Sequence, residues 1–287
     1  MGMVVRTNMG AINANNALTK NNSTVNKNIE KLSSGFRINR AADDASGLAI
    51  SEKMKRQIKA LDTATANAED GISLVQTAEG YMGEIHDMLN RMVELAEKSA
   101  NGTYEMGAAT GDDAYVPDDT SKAGTDRAAL QAEMDQLANE IDRIATTANF
   151  NNNKLLDGSL SSGLVLQIGE TSAAADKLTV TVNQMDTATL FADLGEKVEN
   201  ASEGAVTGGL TINISDQTKA STAAENLRDV INSVSTQRAS LGAMQNRLDY
   251  TINNLDTASE NITSANSRIR DTDMAAEMVK FSNNNIL

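Results

Sequence analysis

Between Ser46 and about Ala100, apolar residues recur at alternating steps of three and four: Met54, Ile58, Leu61, Ala68, Ile72, Val75, Ala78, Met82, Ile85, Leu89, Met92 and Ala96. Such a stripe follows one side of a long helix, as in a coiled-coil seam. A second stripe runs from Leu227 through Ile231, Val234, Leu241, Met244, Leu248, Ile252, Leu255 and Ile262 to Ile269. Neither stripe can stay in water, so two rods far apart in the chain are expected to pack on each other. A third stretch, Thr125 to about Thr147, carries Leu130, Met134, Leu137, Ile141 and Ile144 at the same period. It is separated from the first rod by Gly102 to Gly124, a segment rich in Gly, Asp and Thr that contains Pro117. That composition predicts a reversal, folding the third helix back onto the first.

The period then shortens to two. Leu164, Leu166 and Ile168, then Leu178, Val180 and Val182, then Leu210, Ile212 and Ile214 alternate with other residues, and Asp157-Gly158, Gly163 and Gly208-Gly209 punctuate them. These are three short strand signals, forming a small β-rich cap. At the two ends the helical period returns in a different setting. Val5, Met9, Ile12, Val25, Ile29 and Leu32 step at helical intervals among many Asn residues, and Met278, Phe281 and Ile286 do so beside Asn283-Asn284-Asn285. Asn competes for backbone hydrogen bonds, so these ends are marginal helices that need a partner to bury their stripes. Ile286-Leu287 follow without a capping residue or Gly, so the helical pattern is expected to run to the last residue.

Composition agrees with long helices and narrows the core. Pro occurs once, aromatics make up 3% of residues, and Cys and Trp are absent. The seams therefore run unbroken, and the core must be Leu, Ile, Val, Met and Ala. Met54, Met82, Met92 and Met134 fall on the seams as flexible gap fillers. The fold class expected is mainly α, a long antiparallel coiled-coil-like rod with a small β-hairpin-rich cap. A formal charge of −14 speaks against nucleic acid and anionic membranes as partners. The sequence shows neither a 20-residue apolar span nor the apolar core of a secretory leader.

Candidate chemistry is thin. Asp43-Asp44 and Asp271-Thr272-Asp273 cluster carboxylates, but each lies at a helix boundary, where capping explains them better than acid–base work. Asp112-Asp113 and Asp118-Asp119 form an acidic loop without the glycine-pinned spacing of a calcium site. His86 stands on a helix without a Ser/Asp constellation. No phosphate loop, nucleotide fingerprint or metalloprotease pattern occurs, so the reading is a non-enzyme with no cofactor and no metal.

Two groups of residues suggest a family. Ile29-Glu30-Lys31-Leu32-Ser33-Ser34-Gly35-Phe36-Arg37-Ile38-Asn39 with Ala41-Ala42-Asp43-Asp44-Ala45-Ser46-Gly47-Leu48-Ala49-Ile50 resembles the amino-terminal signature of bacterial flagellins. Asn149-Phe150-Asn151, Ser240-Leu241-Gly242-Ala243-Met244-Gln245-Asn246-Arg247-Leu248 and Ser267-Arg268-Ile269-Arg270-Asp271-Thr272-Asp273-Met274-Ala275 resemble the later parts of the same pattern, in order. The resemblance implies a subunit of the extracellular flagellar filament, exported unfolded and polymerised helically for motility. A hook–filament junction protein of the same architecture is the alternative. Implied partners are other copies of the chain, the flagellar export apparatus, a flagellin chaperone and the filament cap.

By the same resemblance the chain divides into an N-terminal D0 helix (1–34), a spoke linker (35–45), N-terminal D1 helices (46–149), a β-rich part of D1 without sizeable outer domains (150–216), a C-terminal D1 helix (217–270) and the start of C-terminal D0 (271–287). Flagellins usually continue for several more helical turns, so D0 is expected to be cut short here. Assembly is expected to use Val5, Ile12, Val25, Ile29, Leu32, Met278 and Phe281. Asn90, Arg91, Glu94 and Leu95, with Glu133 on the third helix, match the D1 surface gripped by Toll-like receptor 5, the vertebrate innate receptor for flagellin. Spacing alone gives that patch a plainer role, an exposed intrachain ion pair.

Overall fold

The structure, a computed structural model, describes residues 8–103, 126–171, 173–191, 212–214 and 217–287. Pro117, the acidic loop Asp112 to Asp119, Val5 and Leu210 lie outside the described residues. The helices are α1 (Met9–Ser34), α2 (Ala45–Ala100), α3 (Asp126–Thr147), the one-turn α4 (Thr187–Leu190), α5 (Gln217–Arg270) and α6 (Met274–Ile286). The strands are β1 (Asn149–Phe150), β2 (Asn153–Lys154), β3 (Leu164–Gln167) and β4 (Lys177–Val180). The chain divides into two compact units, Met1–Thr65 with Asn253–Leu287, and Ala66–Ile252.

In the first unit, short polar side chains set the helix ends. Asn8 Oδ1 accepts from the Ala11 amide at 3.1 Å to start α1, and Gly35, at φ +74°, ends it by donating to the Lys31 carbonyl. Asp44 caps α2 through the Gly47 amide at 2.8 Å, and Asp273 caps α6 through the Ala276 amide at 3.1 Å. Both carboxylates thus do the capping that their positions suggested. The α1–α2 and α5–α6 connections are joined by backbone bonds, Arg37 N–H to the Arg270 carbonyl at 2.6 Å and Thr272 N–H to the Gly35 carbonyl at 2.9 Å. The Arg270 guanidinium lies 4.5 Å from the centre of the Phe36 ring and pairs with Glu52 at 2.7 Å. Ser51 Oγ donates to Asn266 at 2.7 Å and Ser259 Oγ to Asp62 at 3.1 Å, so α2 and α5 run antiparallel in this unit. Leu61, Ala64 and Leu255 are buried between them.

The second unit holds the main core. Met82, Ile85, Leu89, Met92 and Leu95 of α2, Met134 and Ile141 of α3, and Leu227 and Leu241 of α5 are fully buried together. Ion pairs Glu79–Arg238 and Glu97–Arg228 again run antiparallel along α2 and α5. Among the described residues Phe191 is the one buried aromatic, in keeping with an aliphatic and thioether core. Truncating any of these side chains should cost about 2–5 kcal/mol.

The β cap is smaller than the alternation predicts. β3 and β4 pair antiparallel, Leu164 opposite Val180 through Gln167 opposite Lys177, with Leu178 and Val180 facing inward. The third predicted strand is a correction: Ile212 to Ile214 form no strand. The Gln131 side chain takes the place of a neighbouring strand, donating to the Ile212 carbonyl at 2.8 Å and accepting from the Ile214 amide at 2.7 Å. A hairpin without any apolar alternation, β1–β2, turns at Asn151 and Asn152, both with positive φ, which Asn tolerates better than most residues.

Candidate interaction surfaces

The first candidate surface sits where α2 and α3 lie side by side. Arg91 Nε donates to Glu133 Oε1 at 2.8 Å, Nη2 approaches the same oxygen at 2.7 Å, and Nη1 donates to Glu94 Oε2 at 2.9 Å. Glu133, and after it Glu94, raises the Arg91 pKa by hydrogen bonding to the charged form. Arg91 is half exposed, and Asn90, Glu94 and Glu133 are exposed. Leu95, one helical turn beyond Arg91, is fully buried in the core and offers no surface of its own. The structure therefore brings Arg91, Glu94 and Glu133 together as a planar cation held between two acids, with Leu95 packed inside. An exposed pair of this kind stabilises the fold by less than about 1 kcal/mol.

The second surface is the α1/α6 pair. The apolar periodicity predicts that these end helices need a partner to bury their stripes, and α1 and α6 do not bury them on each other. Instead, the only buried residue of α1 is Asn28 and the only buried residue of α6 is Glu277. Val25, Leu32 and Phe281 are half-buried, while Ile12, Ile29 and Met278 are exposed. Leu18 is 62% exposed and Val279 62%. Exposed apolar side chains on both helices of a pair are an unsatisfied surface. Apolar periodicity did not single out Asn28 or Glu277. The available signal was their spacing, since Asn21 and Asn28 stand seven apart, as do Glu277 and Asn284.

His86 is half-buried on α2 with Nδ1 turned inward. Among the described residues no group of three His, Asp or Glu could hold a metal, and no helix is long and apolar enough to cross a membrane.

Comparison with known proteins fits these features. Residues 5–111 and 113–161 match the bacterial flagellin N-terminal helical region, and 224–287 match the bacterial flagellin C-terminal helical region. A flagellin of Halalkalibacterium halodurans is 43% identical over 285 residues, covering 99% of this chain and 92% of that protein. A flagellin of Bacillus subtilis is 43% identical over 307 residues, with the same two coverages. A solved structure from Vibrio parahaemolyticus, described as a flagellar hook-associated protein, superposes with a TM-score of 0.56 over 80% of this chain and all of its own. At 12% identity that likeness shows the fold alone. Matches at both ends of the chain, relatives aligned over nearly its whole length, and a helical core closed by antiparallel pairing of distant segments place the chain in the bacterial flagellin family.

Proposed function

We propose that the exposed apolar face of α1 and α6 is the surface by which copies of this flagellin hold one another in the flagellar filament outside the cell. The observation that carries this reading is the inverted burial of the pair. Two helices that bury Asn28 and Glu277 and leave Leu18 and Met278 in water gain little by packing only on each other. Neighbouring copies would cover that stripe through contacts that repeat helically without closing. Val25, Leu32 and Phe281 supply the half-buried margin, and Ile12, Ile29 and Met278 the exposed anchors. Val5 belongs to the same stripe by sequence spacing.

On this reading residues 1–34 are the N-terminal D0 helix and 271–287 the start of C-terminal D0, 35–45 are the spoke, and 46–149, 150–216 and 217–270 are the D1 rod. The export apparatus, a chaperone and the filament cap handle the chain before it is built in. Marginal, Asn-rich end helices and the absence of Cys suit passage through a channel in the unfolded state. A hook–filament junction role, which would share this architecture, has less support, because the relatives aligned over nearly the whole chain at 43% identity are flagellins.

Electron microscopy of purified protein warmed with short filament seeds tests the main reading. Seeds should lengthen, and Leu18→Ser with Met278→Ser should stop growth while helicity is retained. Parent protein that stays monomeric beside competent seeds would overturn it.

A second reading is favoured by the Arg91 fork. We infer that the surface formed by Asn90, Arg91, Glu94 and Glu133, packed over Leu95, is also a ligand for Toll-like receptor 5. Arg is one of the residue types enriched among the energetic anchors of protein interfaces. Capture of the receptor ectodomain by the purified chain is the test, and absence of capture at micromolar concentrations counts against it.

A further inference from the structure

The buried centre of the α1/α6 pair is polar, and its bonds link one helix to the other. Asn21 Nδ2 donates to the Asn284 carbonyl at 2.9 Å. With its carboxamide turned to match its neighbours, Asn28 donates to Glu277 Oε1 at 3.1 Å and to the Thr24 carbonyl at 3.2 Å, and accepts from Asn284 Nδ2 at 3.0 Å. Glu277 Oε2 takes Lys280 Nζ at 3.0 Å. Asn28 is 6% exposed and Glu277 4%. Each polar pair is spaced by seven residues on its own helix, with Val25 between the two on α1 and Phe281 between the two on α6. Polar and apolar positions therefore alternate along this stripe of each helix.

We propose that Asn28, Glu277 and Asn284 are a register lock, which fixes one antiparallel alignment of α1 against α6 and so fixes where the exposed apolar residues stand. The consequence for assembly rests on the filament reading; the lock itself does not. Sliding α6 by one turn would set the Glu277 carboxylate near Val25 in place of Asn28. Lys280, on the same helix, would travel with Glu277, but Oε1 would lose the Asn28 donor while still buried. A buried carboxylate oxygen without a donor is disfavoured, and so are unpaired carboxamides. In the aligned state the same groups add little net stability, because each must first be dehydrated. The network thus acts mainly against wrong alignments, as a single buried Asn does in a coiled coil. Exposed residues such as Leu18 and Met278 cannot perform this discrimination, since an apolar contact is satisfied in any register.

The test measures register in the full chain. The protein has no native cysteine, so Ser23→Cys and Ser282→Cys, both at exposed positions, can carry spin labels for pulsed dipolar spectroscopy. The parent should give one narrow distance. Asn28→Leu with Glu277→Leu should keep its helicity while the distribution splits into populations about 5–10 Å apart, one turn to two turns of helix. Glu277→Gln, which still offers Asn28 an acceptor, should keep the single distance. A broad parent distribution, a single narrow distance in the Leu/Leu variant, or loss of α1/α6 helicity in that variant would each overturn the lock. Seeded elongation by the unlabelled parent is scored separately: failure there with a narrow parent distance removes the filament reading and leaves the lock standing.

Discussion

Arg91 of α2 holds Glu133 of α3 with two of its nitrogens, Nε at 2.8 Å and Nη2 at 2.7 Å, both on the same carboxylate oxygen. This contact joins two helices that also share a core, so its loss should scarcely be felt in stability. Arg91→Ala should lower unfolding free energy in urea by less than about 1 kcal/mol. If the surface is a receptor ligand, the same change should weaken receptor binding about 5- to 30-fold, the equivalent of roughly 1–2 kcal/mol. Arg91→Lys keeps the charge but cannot reproduce the planar fork, so its binding should fall between parent and Ala. Equal receptor affinity for all three proteins by surface plasmon resonance would remove the receptor reading.

Gln131 carries more of the fold than Arg91 does. Its carboxamide satisfies the Ile212 carbonyl and the Ile214 amide, and Nε2 also reaches Asp135 at 2.7 Å. Gln131→Ala would leave buried backbone groups without partners, at a cost of about 1–3 kcal/mol for each one stranded. Gln131→Glu retains an acceptor for the Ile214 amide but turns a carboxylate toward the Ile212 carbonyl, and should be no milder. Urea midpoints for both variants, with hydrogen exchange at Ile214, check this. A variant within 0.5 kcal/mol or so of the parent would show that another group satisfies the segment.

How far the sequence could be read follows from these residues. The α2 and α5 seams were legible because burial there follows apolar identity: Val75, Met82, Leu89, Leu227, Val234 and Leu241 are all buried. At the α1/α6 pair that correspondence breaks. The groups taken out of water are Asn28 and Glu277, and hydropathy ranks both as surface residues. The failed strand at Ile212 to Ile214 has a related cause, since a side chain, Gln131, supplies the hydrogen bonds that alternation attributes to a neighbouring strand. The β1–β2 hairpin was hidden because its information lies in Asn151 and Asn152, two residues able to take positive φ, and not in any alternation of polarity. The Arg91 patch was legible as charges on neighbouring faces, but only the fold shows Leu95 fully enclosed.

Gly163 precedes β3 at φ +89°, and a Cβ built there would lie 2.2 Å from Thr179 Cγ2. Gly163→Ala therefore meets two separate obstacles, a left-handed backbone and a clash with β4. The backbone alone should cost about 1–3 kcal/mol. Thr179→Ala in the Gly163→Ala background should recover the part due to the clash and leave the backbone part. A double-mutant cycle by thermal unfolding separates them, and strictly additive losses would show that the strands shift apart to avoid the contact.

Asp142 makes the pH dependence of the second unit testable. Its carboxylate is half-buried on α3, accepting from the Thr187 amide at 2.8 Å and the Thr187 hydroxyl at 2.9 Å. Burial raises its pKa, the two Thr187 bonds oppose that rise, the nearby Asp186 charge adds to it, and the balance lies above the ordinary 3.8. The folded chain then binds the proton more tightly than the unfolded chain does. Between 3.8 and the raised folded value the native state holds the extra proton, so this group's contribution falls as pH rises through that window and is level above it. Relative to Asp142→Asn, which does not titrate, the parent should gain stability as pH is lowered from 7 through the window. Asp186→Asn removes the neighbouring charge and should narrow the window from its upper end. Urea unfolding of parent and both variants at closely spaced pH values between about 3.5 and 7 would reveal the slope, and parallel profiles for parent and Asp142→Asn would show that Thr187 fully offsets the burial.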